Sequence, residues 1–271
     1  MRITFIGGGN MARALIAGLL AQNTPPGELH VVDPDEDKRA SLARDFGVAT
    51  GAGASPAALA ADLLILAVKP QQLPDVAKSL QGRLASPLVV SIAAGIRAGD
   101  LSRWLGGYPR IVRVMPNTPA MIGAGISGLF ALPAVSAQDK ARAAATLAAV
   151  GSTVWVDDES ELDALTAVSG SGPAYVFYFI EALEAAATGL GLDAATSRRL
   201  ALETFLGAAK LAAASAEDAA GLRAKVTSKG GTTERALQVM EQAGIKQAII
   251  AAVGAAAERA KALGDELGQA G

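Results

Sequence analysis

The sequence predicts an α/β protein in two parts, a doubly wound sheet followed by an all-helical domain. Short and almost wholly apolar runs alternate with helical patterns up to about residue 157. The first of these runs ends in a glycine-rich turn. Beyond residue 157 the chain consists of long Ala/Leu-rich segments without strand-like alternation. Continuous apolar strands separated by helices are typical of a parallel sheet that helices cover on both faces.

Six apolar runs are the predicted strands: residues 2–6, 29–32, 63–68, 88–92, 111–115 and 154–156. Apolar residues at helical spacing predict a first helix from Asn10 to about Ala21, and a charged helix is predicted from about Asp35 to Phe46. In the second part the predicted helices cover residues 159–169, 173–190, 194–214, 217–226, 232–243 and 245–267. We therefore divide the chain into a domain of residues 1–157 and a helical domain of residues 158–271, which we expect to form a homodimer.

Composition excludes several classes of protein. Of the 271 residues, 51% are apolar and 18% charged, which is enough apolar material for a large core. The net charge of -2 argues against nucleic acid as a main partner. The absence of cysteine and the single histidine, which we expect to be structural, predict no metal site. Polar residues interrupt the N-terminal apolar run, and no apolar stretch reaches the roughly 18 residues that span a bilayer, so we expect a cytoplasmic protein.

The turn G-G-G-N-M-A (residues 7–12) has the spacing of a dinucleotide-binding site. It follows a predicted strand and opens a predicted helix. Gly7 permits the tight turn, Gly9 lets the backbone approach a pyrophosphate, and Ala12 allows close packing of helix on strand. This context predicts a Rossmann-like domain.

The residues after the second strand leave the choice of cofactor open. Asp33 occupies the position that usually accepts the ribose hydroxyls of NAD. Lys38 and Arg39 follow shortly, and they could either neutralise the 2′-phosphate of NADP or be solvated helix charges.

Further strand ends are expected beside the cofactor, because the carboxyl ends of parallel strands share one edge of the sheet. A-V-K-P (67–70) and S-I-A-A-G (91–95) are two of them, although the lysine could equally be an ordinary surface residue. V-R-V-M-P-N-T-P-A (112–120) predicts a stiff loop where the nicotinamide should end. The cofactor candidates from these segments are Ala67, Val68, Lys69, Pro70, Ile92, Ala94, Met115 and Asn117.

The helical part contains a candidate anion site. V-T-S-K-G-G-T-T-E-R-A (226–236) lacks the Walker spacing, but a loop of this kind at a helix start offers free backbone N–H groups to an anion. A-V-S-G-S-G-P-A-Y (167–175) is rich in small residues and is expected to pack under the active site. No Ser-His-Asp set is available, and no carboxylate pair stands out. We therefore expect hydride transfer to an acceptor that carries its own positive charge, such as a protonated imine.

Together, the segments 112–120, 167–175 and 226–237 resemble those of pyrroline-5-carboxylate reductases, in the right order and nearly end to end. The resemblance implies NAD(P)H-dependent reduction of 1-pyrroline-5-carboxylate to L-proline, the last step of proline biosynthesis. It implies a helical dimerisation domain that interleaves with its partner, and five such dimers often form a decamer in this family. We expect NADPH as the cofactor, with NADH as the alternative.

The resemblance also assigns residues. The substrate carboxylate is expected on Ser228, Gly230, Gly231, Thr232 and Thr233, with Thr233 beside the ring nitrogen as the catalytic candidate and Glu159 bordering the same site. Gly8, Asn10 and Met11 match the pyrophosphate turn, and Lys225 is expected to reach the cofactor, across the dimer.

Two departures and two rival functions accompany this interpretation. Many relatives have Pro at the position of Lys229. Relatives also often carry an Asn near the adenine ribose, where this chain has A-G-A-S (52–55).

A β-hydroxyacid or prephenate-type dehydrogenase shares the two-part layout, but commonly uses a Lys or His acid/base in the helical part, and none is obvious here. A non-catalytic dinucleotide-binding protein is the second rival.

Overall fold

A computed structural model of the chain describes residues 1–269. Contacts divide it into two compact units. The first is Met1–Ser171 together with the residues from Ala256 on, and the second is Gly172–Ala255. This division lies at a different place from the boundary predicted after residue 157, and the predicted boundary stays a prediction.

The first unit is built on one sheet. Among the described residues its strands are β1 (Ile3–Ile6), β2 (Leu29–Val32), β3 (Ala49–Gly51), β4 (Leu63–Leu66), β5 (Leu88–Ser91), β6 (Ile111–Met115), β7 (Gly125–Ala131) and β8 (Gly151–Trp155). Their order across the sheet is β3-β2-β1-β4-β5-β6-β7-β8. Neighbouring strands are parallel except for the antiparallel pair β6 and β7. The predicted doubly wound α/β fold is confirmed.

Helices cover both faces of this sheet. The unit contains α1 (Asn10–Ala21), α2 (Glu36–Phe46), α3 (Pro56–Leu59), α4 (Leu73–Leu80), α5 (Ala98–Trp104), α6 (Ala137–Leu147) and α7 (Glu161–Leu165). Along β4, Leu63 and Ile65 belong to one buried cluster, and Leu64 and Leu66 belong to a second cluster. Because successive side chains of a strand point to opposite faces, a strand buried on both faces is predominantly apolar. This explains the unbroken apolar runs in the sequence.

The strands β3 and β7 are absent from the sequence-based prediction. β7 reads G-I-S-G-L-F-A, and its two glycines resemble loop residues. In the structure a Cβ at Gly128 would lie 2.5 Å from Cδ1 of Leu165, so this glycine admits a packed leucine. Packing against other parts of the fold therefore stabilises a strand that the local sequence predicts only weakly.

The second unit is helical, as predicted. Its helices are α8 (Gly172–Gly189), α9 (Ala194–Ala214), α10 (Ala219–Lys225), α11 (Thr232–Gln242) and the first part of α12 (Ile245–Gln269), whose remainder belongs to the first unit. Within residues 1–269, no helix combines the length and the apolarity that crossing a bilayer requires.

The single histidine lies in the sheet. His30 is on β2, opposite Thr4 of β1, and its partial burial lowers the pKa of the imidazole. His30 is the second residue of β2 and therefore lies before the carboxyl end of the strand, where the predicted cofactor residues follow.

Candidate active site

Four of the predicted cofactor residues lie at one edge of the sheet. These residues directly follow the strands β1, β2, β4 and β5, and they are Gly7, Asp33, Ala67 and Ile92. Each donates its backbone N–H to the carbonyl oxygen of the last residue of a neighbouring strand, at 2.8 to 3.1 Å. The strand ends are thereby aligned, as the parallel register requires. At these positions, hydrogen bonds between backbone groups therefore join the neighbouring strand ends along the carboxyl edge of the sheet.

The glycine turn after β1 has no room for a side chain at Gly7 and is open to a ligand at Gly9. Gly7 has a φ of 102°, and a Cβ there would lie 2.7 Å from the carbonyl oxygen of Ala67. Gly9 is the N-cap of α1, has no side-chain cap, and would place a Cβ in open space. The first bond of this helix start is donated by Arg13 to Gly9, so the preceding N–H groups of Asn10 and Met11 have no helical acceptor. Such a helix start suits a pyrophosphate.

Asp33 is bound to the backbone on both of its carboxylate oxygens. Oδ2 accepts the N–H of Gly8 at 2.8 Å, and Oδ1 accepts the N–H of Asp35 at 3.0 Å. The residue is 5% exposed. This carboxylate holds the glycine turn against the end of β2, a role that the sequence pattern does not reveal.

Two cationic side chains lie at the same strand end. Nη1 of Arg39 donates to the carbonyl oxygens of Asp33 and Pro34, both at 2.8 Å. Nζ of Lys38 lies 3.9 Å from Oδ2 of Asp33, and the lysine side chain is 52% exposed. Positive charge is therefore available beside the position expected for the adenine ribose.

The loop after β6 is held by Asn117. Its Nδ2 donates to the carbonyl oxygen of Ser169 at 3.1 Å, and its Oδ1 accepts the N–H of Ile126 at 3.0 Å. Met115, at the end of β6, contacts the same small-residue segment, because a Cβ at Gly170 would lie 2.7 Å from its Cε. The Ser-Gly segment therefore contacts the loop after β6, and its expected place under the active site stays a prediction.

The remaining cofactor candidates of the first unit are accessible to a ligand. Asn10, Lys69 and Ala94 are exposed, while Met11, Val68 and Pro70 are partly buried. Lys225, which belongs to the second unit, forms an ion pair with Glu217. Its predicted reach to a cofactor stays a prediction.

Glu159 lies in an ion pair that sequence reasoning did not anticipate. Its Oε1 is 2.9 Å from Nη1 of Arg113 and accepts the N–H of Ala98 at 2.7 Å. Arg113 is 4% exposed. The sequence feature that indicates this ion pair is the single arginine within the otherwise apolar strand I-V-R-V-M. The placement of Glu159 beside the substrate stays a prediction.

The glycine loop before α11 presents free backbone donors. Gly231 is the N-cap of this 11-residue helix, and no side chain caps it. Arg235 donates the first helical bond to Gly231, so the N–H groups of Thr232 and Thr233 have no helical acceptor. Gly230, with a φ of 73°, donates to Oε2 of Glu234 at 2.7 Å. The loop residues Ser228, Gly230 and Thr232 are exposed, and Gly231 and Thr233 are partly buried.

Comparison with known proteins adds an independent observation. The family model described as pyrroline-5-carboxylate reductase dimerisation matches residues 159–263, and that described as NADP oxidoreductase coenzyme F420-dependent matches residues 2–95. A pyrroline-5-carboxylate reductase of Pseudomonas aeruginosa is 44% identical over 269 residues, which cover 99% of this chain and 98% of that protein.

Solved structures of the same kind superpose closely. A pyrroline-5-carboxylate reductase of Coxiella burnetii has a TM-score of 0.92 at 42% identity. The pyrroline carboxylate reductase of Plasmodium falciparum with NADP bound has a TM-score of 0.87 at 30% identity. Each comparison covers 97% of this chain and 98% of the other. With two relatives above 40% identity over nearly the whole chain, this protein belongs to the pyrroline-5-carboxylate reductase family.

Proposed function

We propose that this chain is an NAD(P)H-dependent oxidoreductase that reduces 1-pyrroline-5-carboxylate to L-proline, the last step of proline biosynthesis. The observation that carries the proposal is the uncapped start of α11, on the loop by which the chain most specifically resembles its family. Free N–H groups and the positive end of a helix dipole suit a substrate carboxylate. The bound cofactor would supply the hydride that the imine carbon accepts.

The chain's own residues would act by positioning. The N–H groups of Thr232 and Thr233 would receive the carboxylate, and the hydroxyl of Thr233 would orient the ring nitrogen. The protonated imine already carries the positive charge that makes its carbon electrophilic, so a strong acid is not required. Well-oriented groups can supply about 7–11 kcal/mol of a reaction barrier. Ser228 completes the proposed substrate contacts of this loop.

The direct experiment follows the absorbance of NADPH with and without 1-pyrroline-5-carboxylate, and identifies the product. We expect imine-dependent oxidation and stoichiometric L-proline. Tight cofactor binding without oxidation would favour the non-catalytic rival. Reduction of cofactor by a β-hydroxyacid or prephenate would favour the dehydrogenase rival.

NADPH is the proposed cofactor. The carboxylate of Asp33 is 5% exposed and has a backbone donor on each oxygen, which leaves it poorly placed to recognise ribose hydroxyls. Arg39 and Lys38 bring two cations to the same strand end. An NADP-bound relative supports this choice. The 2′-phosphate would be the group that these cations recognise.

Replacing both cations should therefore lower the selectivity for NADPH over NADH. For the double variant Lys38→Gln, Arg39→Gln we expect kcat/KM with NADPH to fall about 10- to 100-fold, because charge-assisted hydrogen bonds contribute about 1.5–3 kcal/mol. With NADH the same parameter should change little. The matched control is Arg44→Gln on the same helix, whose side chain is 74% exposed and pairs with Asp45. Equal losses with both cofactors would contradict the role in selectivity.

The helical unit is the proposed homodimer surface. No residue of α8 (Gly172–Gly189) is buried, although its sequence is strongly apolar. Phe177, Tyr178 and Leu206 are at least half exposed, at 64%, 71% and 50%. An apolar face of this size is typical of an interface. We expect light scattering to report a dimer, or a decamer of five dimers, and a monomer would contradict the proposal. Cytoplasmic location stays a prediction.

A further inference from the structure

We propose that Glu159 and Arg113 are positioning residues for the reduction, acting as a brace that fixes two cofactor-lining segments relative to each other. This inference rests on the proposed function and replaces direct substrate contact as the main role of Glu159. Neither residue needs to touch the reacting atoms.

A single oxygen atom joins three parts of the first unit. Oε1 of Glu159, in the connection between β8 and α7, accepts from Nη1 of Arg113 on β6 at 2.9 Å. The same atom accepts from the N–H of Ala98, the first residue of α5, at 2.7 Å. Sharing one acceptor limits the separation of the two donors, and therefore restrains the start of α5 relative to the Arg113 guanidinium on β6.

Both donors lie on segments that lead to the proposed nicotinamide site. Ala98 follows the connection after β5 that contains Ala94. Arg113 lies on β6 shortly before Met115, which ends that strand. A shift at either donor would therefore move residues along the cofactor, and reacting atoms misplaced by about 1 Å can cost about 100-fold in rate.

Burial argues that the pair serves geometry. Arg113 is 4% exposed, and its strand neighbours Val112 and Val114 are buried and apolar. Its other acidic neighbour, Asp163, is 3.8 Å from Nη2, beyond hydrogen-bond distance. The side chain of Glu159 is partly buried, at 21% exposed, and burying a charge such as that of Arg113 costs desolvation free energy that a well-packed apolar side chain avoids. An ion pair retained at such a position is more readily explained by the fixed geometry that it enforces.

The test compares three variants of the full chain. Glu159→Ala removes both hydrogen bonds, whereas Glu159→Gln keeps a neutral acceptor for the N–H of Ala98. Asp163→Asn is the matched control, because Asp163 also borders Arg113 but does not contact Ala98. All measurements are made at a temperature where circular dichroism shows each variant folded. If Glu159→Ala does not fold, Glu159→Gln carries the comparison.

We expect kcat to fall about 10- to 100-fold for Glu159→Ala, with partial rescue in Glu159→Gln. KM for the imine should stay within about threefold, and Asp163→Asn should keep the wild-type kcat, because neither change removes a substrate contact. The emission of bound NADPH, which reports the surroundings of the nicotinamide, should change for Glu159→Ala and not for Asp163→Asn. This readout does not depend on turnover.

Two results would overturn the brace. A higher KM with unchanged kcat would make Glu159 a substrate-binding residue. Lower thermal stability with unchanged kcat and unchanged NADPH emission would make the pair purely structural. Failure of the proposed function is distinguishable, because the wild-type chain would then leave the imine unreduced while the emission comparison still decides the brace.

Discussion

Replacing Gly7 by Ala should destabilise the folded chain by about 2–4 kcal/mol and abolish cofactor binding. The residue has a φ of 102°, a conformation that L side chains rarely adopt. The new Cβ would also lie 2.7 Å from the carbonyl oxygen of Ala67 and 2.9 Å from the backbone nitrogen of Val68. These are backbone atoms at the cofactor edge and cannot swing aside, so β1 or the strand end beside it must move.

Gly9→Ala is the matched control for this prediction. Its Cβ would enter open space at a φ of -73°, so we expect the free energy of unfolding to stay within about 1 kcal/mol. The added methyl would nevertheless stand where a pyrophosphate must approach the start of α1, and the Kd for NADPH should rise at least about tenfold. Thermal unfolding and fluorescence titration measure the two quantities. Wild-type behaviour of both variants would contradict the proposed turn.

Replacing Thr232 by Pro should raise KM for the imine about 10- to 100-fold, because it deletes one N–H group of the proposed carboxylate site. Proline is favoured at the first position of a helix, so α11 should persist. The preceding Gly231 has φ -85° and ψ 172°, the extended conformation that a following proline requires. The Kd for NADPH should stay unchanged. Steady-state kinetics and cofactor titration make this comparison.

Side-chain controls separate the amide from the hydroxyl. Thr232→Ala keeps the N–H group, and we expect it to affect KM much less than Thr232→Pro. Thr233→Ala should lower turnover more than cofactor binding, since its hydroxyl is proposed to orient the ring nitrogen. Equal losses of turnover and cofactor binding would count against that role. A wild-type KM in Thr232→Pro would remove the amide from the carboxylate site.

The sequence predicts the central strands because they are buried on both faces. β4 is apolar throughout, and β1, β5 and β6 each contain a single polar residue among apolar ones, a pattern that depends only on the local residues. β7 is different, since its Gly128 is required by Leu165, a residue distant in sequence. Its antiparallel pairing with β6 is likewise set by tertiary context.

The candidate site also has features that the local sequence predicts and features that depend on the rest of the fold. Glycine spacing and helix starts predict where a pyrophosphate and a carboxylate can bind, because backbone geometry depends on local sequence. The direction of a charged side chain depends on partners elsewhere in the fold. Asp33 faces backbone N–H groups, and Glu159 faces a buried arginine, and neither orientation is encoded in the motif that contains the residue.

The central claim is that the loop before α11 binds the carboxylate of a cyclic imine during its reduction. The most direct measurement compares NADPH oxidation with 1-pyrroline-5-carboxylate and with 1-pyrroline, which lacks the carboxylate, in the wild-type chain and in Thr232→Pro. We expect kcat/KM to be at least about 100-fold higher for the carboxylated imine, and the variant to narrow that ratio. Equal efficiency with both imines, or no oxidation with either, would contradict the account.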